Sequence, residues 1–265
     1  SNKVLKIMNI KEKFFDIFNM YTEKKSVRKK ISKTLKKLLP YQIDVSLVRL
    51  GEKNDGGYLV PDDLVGIDKN YSAGVGFLTQ FEKDLEEKHS IKSNMLDFNE
   101  IDKTLLPSEA SFLKKKLGLV SNNQEISIND WMDQADKDIM LKLDIEGDEY
   151  TSLIDISKEN LKKIRVLVIE FHDLRNLRNN LFLNIFDKVI NKLKNYFYAC
   201  HLHVNNISKV KNIGGLLVPD MLEITFIKKD RVKKFSGKFS ILPHPLDNKT
   251  VSHVNEKYID NNWYK

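Results

Sequence analysis

The chain has 265 residues, 41% of them hydrophobic and 31% charged, the profile of a soluble globular protein with enough length for one large domain and a sizeable core. No apolar run approaches the ~20 residues of a membrane span, and the lysine-rich opening lacks the apolar stretch of a secretion signal, so the expected compartment is the cytoplasm. The formal charge of +7 is concentrated: residues 1–40 hold 12 Lys+Arg against 3 Asp+Glu, which leaves 32 against 34 for residues 41–265 and argues against a nucleic-acid partner. The single cysteine, Cys200, permits no internal disulfide and agrees with a reducing compartment.

Residues 3–39 place apolar side chains at helical spacing among lysines: Phe14, Phe15, Ile17 and Phe18, then Val27, Ile31, Leu35, Leu38 and Leu39, with a stop at Pro40. Two basic amphipathic helices are expected, in a segment 1–40 ahead of a main domain 41–265. Such a segment either packs as a solvated appendage on the domain or on a second subunit, or makes a peripheral contact with anionic lipid or a polyanionic glycan precursor. From Val45, "SLVRLGEKNDGGYLVPDDL" reads as two short alternating runs around Asn54-Asp55-Gly56-Gly57, the composition of a tight hairpin.

The strand-like "NYSAGVG" then runs into the helical "FLTQFEKDLEEKH", and a short run ends at "NMLDF". "SFLKKKLGLV" leans to strand, "IMLKLDIEG" is a strand followed by a helix near 148–162, and "KIRVLVIEFHDL" is the clearest buried strand. "NLFLNIFDKVINKLKNY" is a strong amphipathic helix, and "FYACHLHVNN" and "DMLEITFIKKD" are strands on either side of Gly214-Gly215. This alternation predicts an α/β domain with a largely parallel sheet, closed by an antiparallel hairpin of the last two strands.

Gly74-Val75-Gly76 sits between a strand and a helix, and Asp97 ends the next strand. In doubly wound sheets glycines at that turn let backbone approach a ligand, and an acid on the following strand accepts ribose hydroxyls. A plain tight turn uses the same letters. Gly76 is followed by Phe77-Leu78-Thr79, so the full dinucleotide pattern is absent and a ribose-bearing ligand without phosphates fits better; S-adenosylmethionine is the common one.

"LKLDIEGDEY" sets Lys142, Asp144 and Glu146 on one face at a strand's carboxyl end, and "IEFHD" sets Glu170 and His172 at the same end of the next strand. Buried charge needs partners. One reading is a Lys142–Asp144 pair with acids capping the following helix; the other is a general base or a metal site facing an acceptor hydroxyl. His201 and His203 share a strand face, either as satisfied strand histidines or as glycan or metal contacts, which makes His203 a candidate for substrate binding. Asn54, Asp55 and Tyr58 either form a lid beside the cofactor, with Asp55 and Tyr58 as candidates for substrate binding, or are simply the letters a turn needs.

Taken in order, "NDGGYLVPDDL", "YSAGVGFLTQFEKDL", "MLDF", "SINDWM", "LKLDIEGDEY", "IEFHDL", "HLHVNN", "GGLLVPDMLEITF" and "LPHPLD" resemble FkbM-type S-adenosylmethionine-dependent methyltransferases, in the branch found near glycan and capsule genes. The similarity covers roughly residues 45 to 250. It implies a Rossmann-like class I methyltransferase fold with a seven-stranded sheet, and methyl transfer to a hydroxyl of a sugar or glycan precursor. It also places Gly74, Gly76 and Asp97 on the cofactor, Phe98 against the adenine and Asp130 near it. Such enzymes carry an acid two positions before the first glycine, to meet the methionine ammonium; here Ser72 stands there, and Glu82 or Asp144 is expected to take its place.

Methyl transfer from a sulfonium requires removal of the acceptor's hydroxyl proton as the new bond forms. His172 is the first expectation for the base, with Asp144, Glu146 and Glu170 positioning it or the acceptor. The alternative is a divalent ion, Mg²⁺ or Mn²⁺, held by Asp144, Glu170 and His172. A second class of function is an inactive methyltransferase-fold scaffold that assembles a partner through its basic helices.

Overall fold

The structure, a computed structural model, describes residues 25–264 apart from 134, 136 and 137. The first expected helix, with Phe14 to Phe18, lies outside the described residues. The second is α1 (Lys25–Leu35), and it packs on the domain. Ile31, Leu35, Leu38 and Leu39 are fully buried in the main core, and Lys37 pairs with Asp187 at 2.6 Å. Of the placements expected for this segment, packing on the domain is the one seen for α1, whose apolar stripe is covered by the core.

The hairpin forms as read: β1 (Leu47–Gly51) and β2 (Gly57–Pro61) pair antiparallel in a small sheet of their own. The main sheet begins with β3 (Lys69–Ala73), α2 (Gln80–His89) and β4 (Lys92–Asp97). "SFLKKKLGLV" splits into β5 (Ser111–Lys114), which joins the main sheet, and β6 (Lys116–Gly118), which pairs with β7 (Glu125–Ser127). A short α3 (Ile128–Trp131) leads to β8 (Ile139–Leu143).

The helix expected near 148–162 is two, α4 (Glu149–Asp155) and α5 (Lys158–Lys163). Ser157 between them caps the second by accepting from the Asn160 N–H at 3.0 Å. Then come β9 (Ile164–Phe171), α6 (Asn180–Tyr196), β10 (Phe197–Val204), the hairpin of β11 (Val210–Ile213) and β12 (Leu216–Pro219), and β13 (Leu222–Lys228).

Seven strands form one sheet in the order β10-β13-β9-β8-β3-β4-β5. The five from β9 to β5 are parallel, and β13 runs antiparallel between β9 and β10. The expected antiparallel closing pair is present, joined through the β11–β12 hairpin instead of a tight turn. Among the described residues no helix is long and apolar enough to cross a membrane.

Period-two alternation assigns the two faces of the sheet. Leu141, Leu143, Leu167, Ile169 and Phe171 pack toward α6, whose buried Leu183, Phe186, Val189, Ile190 and Leu193 repeat at helical spacing. Met140, Val166 and Val168 point the other way, into a cluster with Tyr58 and Val60 of the hairpin and Phe81 and Leu85 of α2. The same alternation puts Lys142, Asp144, Glu170 and His172 on the hairpin face, at the carboxyl ends of the parallel strands.

Candidate functional site

A cleft of about 890 Å³ opens at those strand ends, where the chain leaves β3 for β4 on one side and β8 lies on the other. This reversal is the usual ligand position in an open α/β sheet. Gly74, Gly76, Asp97, Phe98, Asp144, Glu146, Asp55 and Tyr58 all line it. Phe77 and Phe98, 70% and 67% exposed, stand at its mouth.

The two glycines do different work. Gly74 has φ +76°, and a Cβ there would lie 1.7 Å from the Asp144 carbonyl oxygen, so its missing side chain lets the turns after β3 and β8 touch. Gly76 has φ +51° and open space where a Cβ would be. Its N–H donates to Asp97 Oδ2 at 3.0 Å, while Asp97 Oδ1 accepts from the Asn99 N–H at 2.7 Å. These bonds fix the carboxylate and leave lone pairs for a ligand hydroxyl.

The ionic cluster forms the next stretch of wall. Tyr58 donates its hydroxyl to Asp144 Oδ2 at 3.1 Å. His172 Nδ1 lies 2.6 Å from Glu149 Oε1, and its Nε2 faces Asp144 Oδ1 at 3.8 Å and Glu146 Oε2 at 3.5 Å. Asn205 donates to Glu170 Oε1 at 2.9 Å. One donor atom each from Asp144, Glu170 and His172 can be chosen so that all lie within 4.8 Å of one another. The three are brought together from adjacent strand ends, as their spacing suggests. His172 and Glu170 do not line the cleft themselves; they meet it through Asp144 and Glu146.

Burial pushes the Asp144 carboxyl up to about 6, against the pull of Lys142 and His172. Burial, then the charges of Asp144 and Glu223, raise Glu170 well above the carboxylate range. Burial works against charge on His172, but the hydrogen bond and charge of Glu149, followed by Glu170 and Asp144, outweigh it and raise the imidazole to about 9. The two shifts run in complementary senses: the imidazole is biased toward keeping its proton and the Asp144 carboxylate toward accepting one.

Other expectations are corrected by position. Glu82 is fully buried and is not at the cleft wall: Oε1 accepts the Ser72 hydroxyl and lies 3.4 Å from Lys142 Nζ. The small Ser72 and the cation at Lys142 draw this carboxylate between α2 and the sheet, and of the two acids expected to meet an ammonium only Asp144 lines the cleft. Asp130 lies outside the cleft, in the first turn of α3, where it accepts the Ser121 hydroxyl. His203 also lies elsewhere: it is 7% exposed and held between Glu223 Oε2 at 3.1 Å and Glu256 Oε1 at 2.9 Å. His201 is likewise satisfied, by Asp247 at 2.8 Å.

Sequence reasoning missed Glu149 as the partner of His172 and Asn205 as the donor to Glu170. Both sit in quoted motifs, yet the pairing joins chain segments 23 and 35 residues apart. It also missed Lys116, which lines the cleft while paired with Asp148 at 2.9 Å. No protein-family model matches the chain, and no curated protein matches it.

Proposed function

We propose that the protein is an S-adenosylmethionine-dependent O-methyltransferase acting on a hydroxyl of a sugar or glycan precursor. The observation that carries this reading is the placement of Asp97 and the Gly74–Gly76 turn in one cleft with the Asp144 cluster. The sheet order supports it, since one antiparallel strand inserted between two co-directional strands, β9 and β10, agrees with the class I methyltransferase architecture that the resemblance implies.

The fit to the cofactor is physical. Open space over Gly76 and a fixed Asp97 carboxylate suit a ribose, and exposed Phe98 offers a face for an adenine. Lys115 and Lys116, the basic side chains beyond Lys142 at the wall, are held by the Asn122 carbonyl and by Asp148, so the cleft offers little to a pyrophosphate. When bound, the cofactor supplies an electrophilic methyl group. The protein's part is to hold and deprotonate the acceptor. Asp144, between the Tyr58 hydroxyl and His172, is the carboxylate able to take a hydroxyl proton near neutral pH.

Calorimetry of the full chain with S-adenosylmethionine and S-adenosylhomocysteine is expected to give saturable binding that Asp97→Asn weakens at least tenfold. Methyl-labelled cofactor incubated with a cell glycan fraction is expected to pass label to the glycan. A folded protein with no saturable heat for either ligand would overturn the reading and leave the scaffold alternative.

A further inference from the structure

His172 is 6% exposed, and its outward nitrogen, Nε2, makes no hydrogen bond; the nearest carboxylate oxygens are 3.5 and 3.8 Å away. This nitrogen meets those carboxylates only at ion-pair distance, a spacing that a shared cation would bridge. Asp144 and Glu170 complete a set of one nitrogen and two oxygen donors that can converge on a point.

Each of the three is also held from behind. Glu149 fixes His172 Nδ1 at 2.6 Å, Asn205 fixes Glu170 at 2.9 Å, and Tyr58 fixes Asp144 at 3.1 Å. An outer shell of this kind, above all a carboxylate on the far nitrogen of a histidine, is how proteins orient metal ligands. The charges agree: Asp144, Glu146, Glu149 and Glu170 face His172 and Lys142, leaving negative charge in excess.

We propose that Asp144, Glu170 and His172 bind one divalent cation of the Mn²⁺ type at the wall of the cleft. Mixed imidazole and carboxylate donors suit Mn²⁺ better than Mg²⁺, and the side of Asp144 toward the cleft leaves room for water or a hydroxyl to complete the shell. The ion's role rests on the function proposed above: a bound acceptor hydroxyl would become acidic enough for Asp144 or solvent to deprotonate.

The test uses the full chain stripped with EDTA and titrated with Mn²⁺ alone, followed by electron paramagnetic resonance. One saturable equivalent is expected. His172→Ala and Asp144→Asn should abolish it, and Glu149→Gln should weaken it by about 10–100-fold. Since substitutions in a buried cluster can unfold a protein, wild-type chain labelled with ¹⁵N-histidine supplies a second measurement: pulsed resonance is expected to show one imidazole nitrogen coupled to the ion.

Absence of saturable Mn²⁺ binding, or binding without a nitrogen coupling, overturns the site. S-adenosylhomocysteine calorimetry on the same sample keeps the two ideas apart. Cofactor binding without Mn²⁺ binding removes only the metal, and the reverse removes only the methyltransferase reading.

Discussion

At Gly74 one missing methyl group sets how closely two strand ends approach. A Cβ would sit 1.7 Å from the Asp144 carbonyl oxygen in a backbone with φ +76°, so Gly74→Ala is expected to cost roughly 3 kcal/mol or more in denaturant unfolding. Gly76→Ala has open space and pays only for its positive φ, about 1 kcal/mol; it should spare the fold and weaken cofactor binding. Equal losses of stability in the two variants would refute this division of roles. At the strand end that Gly74 touches, burial raises the Asp144 carboxyl to about 6, so kcat/KM is expected to rise as pH passes through about 6. Asp144→Asn should lower the rate by about 10²–10⁴ and remove that limb of the pH profile.

The β1–β2 hairpin is a roof on the ionic cluster, because Thr225 of β13 donates to the Leu59 carbonyl at 2.7 Å and Tyr58 reaches down to Asp144. Tyr58→Phe keeps the ring packed edge-on against Phe81 and deletes only the hydroxyl. That hydroxyl holds the Asp144 carboxyl down, so its loss should move the acid limb of the pH profile upward by about one pH unit. At the other face, α1 belongs to the core. Leu35→Ala is expected to destabilise the whole domain by about 2–5 kcal/mol in a single transition. If instead only a separate, weaker transition moved, the helix would be an appendage after all.

Across the whole molecule, the segment after residue 240 is fastened to the edge strand β10 by His201–Asp247 and His203–Glu256, and to the turn after it by Asn206 with the Val251 carbonyl. For His203, burial opposes charge, but Glu223, Glu256 and Asp247 outweigh it and raise the ring to about 9. A folded pKa above the ordinary 6.5 means that this stabilisation is complete below about pH 6.5 and is lost as pH climbs through about 9. His172 acts in the same direction and window. Tm is therefore expected to fall by a few degrees between pH 6.5 and 9, and His203→Gln should flatten part of that fall. A Tm that rose over this range would contradict the clamp.

What the sequence determined by itself is the part that local periodicity encodes. The hairpin at Asn54 to Gly57, the α/β alternation, the buried strand Ile164–Phe171 and the grouping of Asp144, Glu170 and His172 follow from side chains that alternate along strands and repeat along helices. Tertiary structure alone decided that β13 enters between β9 and β10, that Glu82 turns away from the cleft to Ser72 and Lys142, and that Glu149 and Asn205 stand behind the cluster. It also decided the protonation of His172, since a pKa answers to every charge within a few ångströms and these charges come from segments far apart in the chain. Periodicity reports which way a residue faces; only packing reports what it meets there.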